Sequence, residues 1–382
     1  MADPKAARCA SPTRALIDLG ALRANYAHAC ALSGGRAVIA VVKADAYGHG
    51  AAAVTRALVR AGAAQVAVAT VAEGAELREA LPELRILVLG GVHGEAEAEA
   101  AAELGLVPVL HHEGELAVIA KTAERRGICC DVQVEIDTGM RRLGVPEDGA
   151  VALLERVAAD PGLRLAGVLT HFARADEPDP ALRTEPLERF GALLAAARAR
   201  GVAPGLVHVA NSAALLDFAP TLAALPEQDA VRPGLLLYGV APAPHLSGGL
   251  RPVMTLRTEI VALRTAGEGE AVGYGATYRA ARRTRIATLP VGYADGVPWS
   301  LGGRGEALLG GRRVPFAGRV SMDLVTIDVG EGPAEIGDEV ILFGVGQGTA
   351  PSVEEVAARA GTIPYEVLVR IGRRVPRVLE GD

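Results

Sequence analysis

At 382 residues the chain is longer than one hydrophobic core usually organises, which predicts two domains. Half of the residues are hydrophobic yet only 3% are aromatic, so the cores must be built mainly from Ala, Val and Leu, as in α/β layers. A formal net charge of −6 with both signs interspersed argues against a nucleic-acid partner, and no run suits a signal peptide or a membrane span, so a cytoplasmic protein with no membrane partner is expected.

Residues 1–13 read as a flexible terminus. Residues 14–19 alternate as a strand that could join either domain, and Gly20 to Ala31 reads as a helix turning Leu22, Tyr26 and Cys30 to one side. Short apolar strands then recur near 37–43, 65–70, 84–89, 106–110, 131–136, 163–170, 206–210 and 234–238, separated by Ala/Leu/Glu/Arg-rich segments of helical length. Eight such repeats predict an α/β fold with an N-terminal (β/α)8 barrel over 14–242. Its clearest helix, around 180–200, carries Leu187, Phe190, Leu193 and Leu194 at helical spacing. Pro242, Pro244 and Gly248–Gly249 mark a connector, and 243–382 reads as a second, mainly antiparallel β domain of short strands and glycine turns. Two short helical patterns close it, the first opened by Ser352 and Glu355 at capping-box spacing. Cys9, Cys30, Cys129 and Cys130 have neither zinc-site spacing nor the density of a secreted scaffold, so reduced thiols and no metal are expected.

The chemistry starts at residues 37–50, AVIAVVKADAYGHG. A lysine at the end of an apolar strand is partly desolvated, which disfavours its ammonium form and leaves a nucleophile able to hold a carbonyl cofactor as a Schiff base. Lys43 equally reads as a lysine whose stem lines the strand while its head reaches water. A barrel works at the C-terminal ends of its strands. Lys43, Glu135 with Arg142, His171, Asn211 with Ser212, and Arg232 leading into Gly234 all fall there. Taken alone, His171 is a satisfied core histidine and Arg142 a surface ion pair; their shared rim position favours a site. The loops after strands seven and eight, with Ser212 opening a helix and Gly234 allowing close backbone approach, suit one phosphate monoester.

The words VVKADAYGHG, IDTGMRRLGV, LTHFA, VANSAA, VRPGLLLYG, VGYGATY, LPVGYADG, GRVSMDL and IPYEVL occur in the order that resembles the alanine racemase family. The resemblance spans nearly the whole chain. It implies a homodimer of head-to-tail subunits with shared active sites, pyridoxal 5′-phosphate at the barrel mouth, and a small amino-acid substrate. Lys43 would carry the cofactor and act as one base, with Tyr274 of the partner's β domain as the other, since racemisation needs acid/base groups on both faces of Cα. Tyr47, Ser212, Gly234 and Tyr365 would hold the phosphate. Asn211 and His171 would also bind the cofactor, Arg232 would face the pyridine nitrogen, and His171 would link Tyr274 toward Arg232. Arg142, Met322 and Asp323 would bind the substrate carboxylate, with Tyr293 and Tyr365 narrowing the entrance. The implied role is supply of D-alanine for peptidoglycan.

Three words depart from the family pattern. Glu135 stands where many relatives carry a lysine modified to a carbamate, and is expected to orient Arg142 directly. Ser321 replaces the cysteine often found before Met-Asp. Val297-Pro298-Trp299 replaces an entrance often bearing arginine, which leaves substrate preference open. Serine turnover is compatible with so small a pocket. The other readings are a broader-specificity amino-acid racemase acting on serine and others, a pyridoxal-phosphate decarboxylase on the same plan, or a non-catalytic cofactor carrier.

Overall fold

The computed structural model describes residues 11–381. The described residues form two compact units, a barrel unit of Leu22–Ala46 and Ala51–Leu250, and a β unit of 11–21, Tyr47–Gly50 and 251–381.

Strand β1 (Arg14–Asp18) belongs to the β unit. The barrel uses β2 (Ala37–Val41), β3 (Gln65–Val68), β4 (Arg85–Val88), β5 (Val107–Leu110) and β6 (Cys130–Asp137). The two-residue β7 (Val145–Pro146) extends beside β6, and β8 (Leu163–Leu169), β9 (Leu206–His208) and β10 (Ala230–Val231) complete the ring. All pairings are parallel, and β10 pairs with β2 in the register Ala230 to Ala37, closing eight strands into a barrel. Parallel neighbours need long crossovers, which the intervening helices supply. Strands β3 and β5 are buried along their whole length, as expected where one face meets the barrel interior and the other the helices. Helix Ala181–Ala199 buries Leu187, Phe190 and Leu194, with Ala197 and Arg183.

The eighth strand differs from the expectation at 234–238. It is β10, and Leu235–Tyr238 is a 3-10 turn. Pro233 has no N–H to offer a ladder, and the amides of Gly234 and Leu236 both donate to Ser212 Oγ, at 2.8 and 3.2 Å. The apolar run LLLY is therefore buried without being a strand. Helix Leu19–Leu32 buries Leu22, Asn25, Tyr26 and Ala29 but leaves Cys30 exposed, so that cysteine is off the stripe.

In the β unit, a six-stranded sheet runs in the order 312–315, 306–309, 339–343, β11 (Met254–Glu259), β1 and 377–380. Only β1 with 377–380 is parallel. A three-stranded antiparallel sheet of 262–266, 284–289 and 325–328 lies in the same unit. Ser352 and Glu355 form the capping box of helix Val353–Ala360. Most of the flexible terminus expected over 1–13, with Cys9, lies outside the described residues. Thr13 is 3% exposed and bonds to Thr258 Oγ1 and Pro290 O at 2.7 and 2.9 Å, so it is anchored. Among the described residues Cys30, Cys129 and Cys130 are free thiols, no group of acidic, His and Cys side chains is placed to hold a metal, and no helix is long and apolar enough to cross a membrane.

Candidate active site

Lys43 directly follows β2. The chain beyond it is wound into a left-handed turn, with φ of +53, +52, +53 and +54° at Ala44, Asp45, Ala46 and Tyr47. A left-handed helical residue other than glycine costs roughly 1–2 kcal/mol, so four in succession need external support. Glu73 provides part of it. It sits at the N3 position of the helix capped by Thr70, and its carboxylate accepts the amides of Ala44 (2.6 Å) and Ala69 (2.7 Å). Asp45 in turn accepts the amide of Ala51 at 2.7 Å, and Ala46 donates to Val42 O at 2.9 Å. Desolvation and then Arg142 lower the Lys43 pKa, against smaller upward pulls from Glu73 and Glu135. The amine makes no hydrogen bond and no ion pair among the described residues.

Arg232, 4% exposed, is fastened from below. Its Nη1 donates to His208 Nδ1 (2.8 Å) and His208 O (2.6 Å), and its Nη2 to Thr170 O (2.7 Å) and Val209 O (3.2 Å). Gln133 Oε1 lies 2.7 Å from His208 Nε2, which assigns the ring proton to Nε2 and leaves Nδ1 to accept from arginine. Burial and then the adjacent Arg232 push His208 well below the usual histidine range, so it stays neutral. Burial pulls Arg232 itself down to about 10, against Glu135, and the guanidinium remains charged at neutral pH. Its remaining donor, Nε–H, has no protein partner among the described residues.

Ser212 completes the group. With two amides donating to Oγ, its hydroxyl proton is left to donate outward. Asn211 caps the short helix Ser212–Leu216 through Oδ1 and Ala214 N, at 3.0 Å. His171 makes no hydrogen bond among the described residues, and burial followed by Arg232 lowers its pKa to about 4. Arg142 is exposed and unpaired among the described residues. Lys43, Arg142, Arg232 Nε and the Ser212 hydroxyl are thus donors with no acceptor of their own, the signature of an anion site.

Glu135 does not orient Arg142 as expected. It lies 7% exposed with Oε2 3.5 Å from His111 Nε2, and no ion pair joins it to Arg142. A glutamate is several atoms shorter than a carbamate-bearing lysine, and the side chain within ion-pair distance of it is His111. Burial raises the Glu135 pKa, but His111 and Arg232 outweigh it and hold the carboxylate below its usual range. His111, Glu115, His208, Gln133 and Glu73 were not singled out by sequence reasoning. The signal for His111 was available, since it follows β5 as His171 follows β8.

The β unit carries the other expected residues. Tyr47 and Tyr365 rings meet at 6.0 Å and 42°, and burial and then Tyr365 push the Tyr47 phenol up, keeping it a donor. Tyr274, 72% exposed, opens a 3-10 turn between Gly273 and Gly275, both at positive φ. A side chain at Gly275 would fall 3.0 Å from the Arg319 guanidinium carbon. Tyr274, Tyr293, Trp299, Arg319, Met322 and Asp323 line an open cleft of about 540 Å³. Asp323 is held by Arg374 at 2.8 Å, while the amides of Met322 and Asp323 donate to nothing among the described residues.

Together, the closed (β/α)8 fold, a desolvated lysine at its rim and several donors without acceptors of their own define a barrel protein with a candidate site at the C-terminal ends of its strands. The family models for the alanine racemase N-terminal and C-terminal domains match residues 17–242 and 253–379. Alanine racemase from Sorangium cellulosum is 43% identical over 379 residues, covering 96% of this chain and 98% of the relative. The crystal structure of alanine racemase from D-cycloserine-producing Streptomyces lavendulae aligns with a TM-score of 0.92 at 37% identity, covering 98% of each chain. Alanine racemase from Bartonella henselae, solved with covalently bound pyridoxal phosphate, aligns at 0.86 with 29% identity, covering 97% of this chain and all of that one. The chain belongs to the alanine racemase family.

Proposed function

We propose that this isomerase interconverts L- and D-alanine, with pyridoxal 5′-phosphate held at Lys43, in a homodimer whose sites are each completed by a tyrosine of the other copy. The observation that carries this is the set of idle donors around the Lys43 amine, which fits a group that is an aldehyde at one end and a phosphate at the other. The Ser212 hydroxyl beside Gly234, with the phenols of Tyr47 and Tyr365, would hold the phosphate, and Asn211 fixes the turn that presents Ser212. Arg232 Nε would meet the pyridine nitrogen, donating a hydrogen bond while keeping its own proton. When bound, the cofactor supplies an electron-withdrawing ring that acidifies the Cα–H of an attached amino acid.

The protein's residues do the rest. A depressed pKa lets Lys43 Nζ take or return a proton on one face of Cα, and the Tyr274 hydroxyl serves the other. His171, kept neutral, can accept a hydrogen bond between Tyr274 and Arg232. Arg142 and the unpartnered amides of Met322 and Asp323 suit the substrate carboxylate, and Tyr293 narrows the approach. Tyr274 at 72% exposure fits a residue offered to another subunit rather than packed within its own. We place the activity in the cytoplasm, where it would supply D-alanine for peptidoglycan. The test is a panel of L-amino acids followed by circular dichroism. Wild type should invert alanine fastest, with serine the next candidate. Lys43→Ala should lose activity in both directions and Tyr274→Phe should fall at least a hundredfold. Loss of carbon dioxide in place of inversion, or full activity in Lys43→Ala, would overturn the reading.

A further inference from the structure

His111 has no part in the reaction as described, yet it is 4% exposed and faces charge on both sides. Its Nδ1 lies 3.4 Å from Glu115 Oε1 and its Nε2 lies 3.5 Å from Glu135 Oε2. The second contact has ion-pair distance without hydrogen-bond geometry, and Nε2 has no other partner among the described residues. Glu115 is itself fixed. It is the N3 residue of helix Glu113–Arg126, and its Oε2 accepts the backbone amides of His111 (2.6 Å) and His112 (3.3 Å). Gly91 closes the remaining space, since a Cβ there would fall 2.0 Å from Glu115 Oε1. A chain of constraint therefore runs from the helix amides through Glu115 and His111 to Glu135. The other titratable neighbour of Glu115 is the exposed His112, 3.9 Å away, while Glu135 faces Arg232 and His171 from the mouth side. Two buried carboxylates flanking one ring need a cation between them, because each anion alone in a dry interior is strongly disfavoured. Burial pulls His111 toward neutrality, but Glu115 and Glu135 outweigh it and raise its pKa to about 9.

We propose that His111 is a positioning residue whose imidazolium shares the Glu135 carboxylate with Arg232, so that Lys43, Arg142 and Arg232 meet an incoming carboxylate or phosphate against a smaller opposing charge. This deepens the racemase reading, and its kinetic arm rests on that reading. At pH 8.5, His111→Asn should raise KM for alanine about tenfold while kcat changes less, and adding Glu135→Gln to that variant should return KM to within about threefold of wild type. A purely structural role for His111 would not be rescued by removing the opposing charge. The second arm uses cofactor-free wild-type protein with ¹⁵N-labelled histidine. A histidine signal with both ring nitrogens protonated at pH 7.5, absent from His111→Asn, is expected. An unchanged KM in His111→Asn, a raised KM that Glu135→Gln leaves in place, or a singly protonated His111 would each overturn the proposal. A doubly protonated His111 in a protein that inverts no amino acid would instead sink the racemase reading alone.

Discussion

The barrel unit and the β unit carry their candidate functional residues in opposite ways. In the barrel, Arg232 and Ser212 are each 4% exposed and are oriented by bonds from below, so their free donors are aimed before anything binds. In the β unit, Tyr274, Tyr293, Trp299 and Met322 are 72, 44, 58 and 53% exposed around an open cleft. The first arrangement is what electrostatic preorganisation requires, in which polar groups are fixed where reorganisation would otherwise cost free energy. The second is an unfinished surface, apolar and aromatic, of the kind that another protein surface covers.

The sharpest way to break this contrast is to remove one residue from each region. Arg232→Ala would strip the donor from His208 Nδ1 and from three carbonyls, those of Thr170, His208 and Val209, in a dry interior. Urea unfolding should show a loss of about 3–5 kcal/mol. Trp299→Ala, at the exposed cleft, should change monomer stability by no more than about 0.5 kcal/mol. Equal losses in the two variants would contradict the division.

A smaller effect depends on pH. His111 has a folded-state pKa raised from 6.5 to about 9, so its stabilising contribution is fully present below about pH 6.5 and is lost as the pH rises through 9. The stability gap between wild type and His111→Asn should therefore be widest below pH 6.5, on the order of 2–3 kcal/mol, and close toward pH 10. A gap that widens with pH would show that the ring is held neutral.

The smallest effect concerns the turn after Lys43. Ala44 is exposed and sits at φ +53°, where a Cβ is penalised, so Ala44→Gly should stabilise the fold by about 0.5–1 kcal/mol despite glycine's greater freedom when unfolded. A rise in the urea midpoint checks it, and a fall would mean that the left-handed geometry is not limiting there.

What could be read from the chain alone follows from how local each signal is. The apolar run ending in Lys43, the regular spacing of strands and the Ser352–Glu355 cap are local patterns, and each corresponds to an element of the structure. The LLLY segment misled because burial was the same as for a strand, while the deciding facts, a missing Pro233 amide and a serine 22 residues back that captures Gly234, are tertiary. The left-handed turn was invisible because Ala44, Asp45, Ala46 and Tyr47 include no glycine to announce positive φ. Glu135 reads as a partner of Arg142 only by analogy with a longer side chain; the rim position of His111 just past β5 is legible, but its meeting with Glu135 depends on the pairing of β5 with β6, which is tertiary.

The claim that one active site draws on two subunits is tested most directly by mixing two inactive proteins. Lys43→Ala and Tyr274→Phe, unfolded together and refolded at equal concentration, should form mixed dimers in which one of the two sites holds both an intact lysine and an intact tyrosine. Random pairing should restore about a quarter of wild-type alanine inversion, followed by circular dichroism. A mixture no more active than either parent would contradict the account.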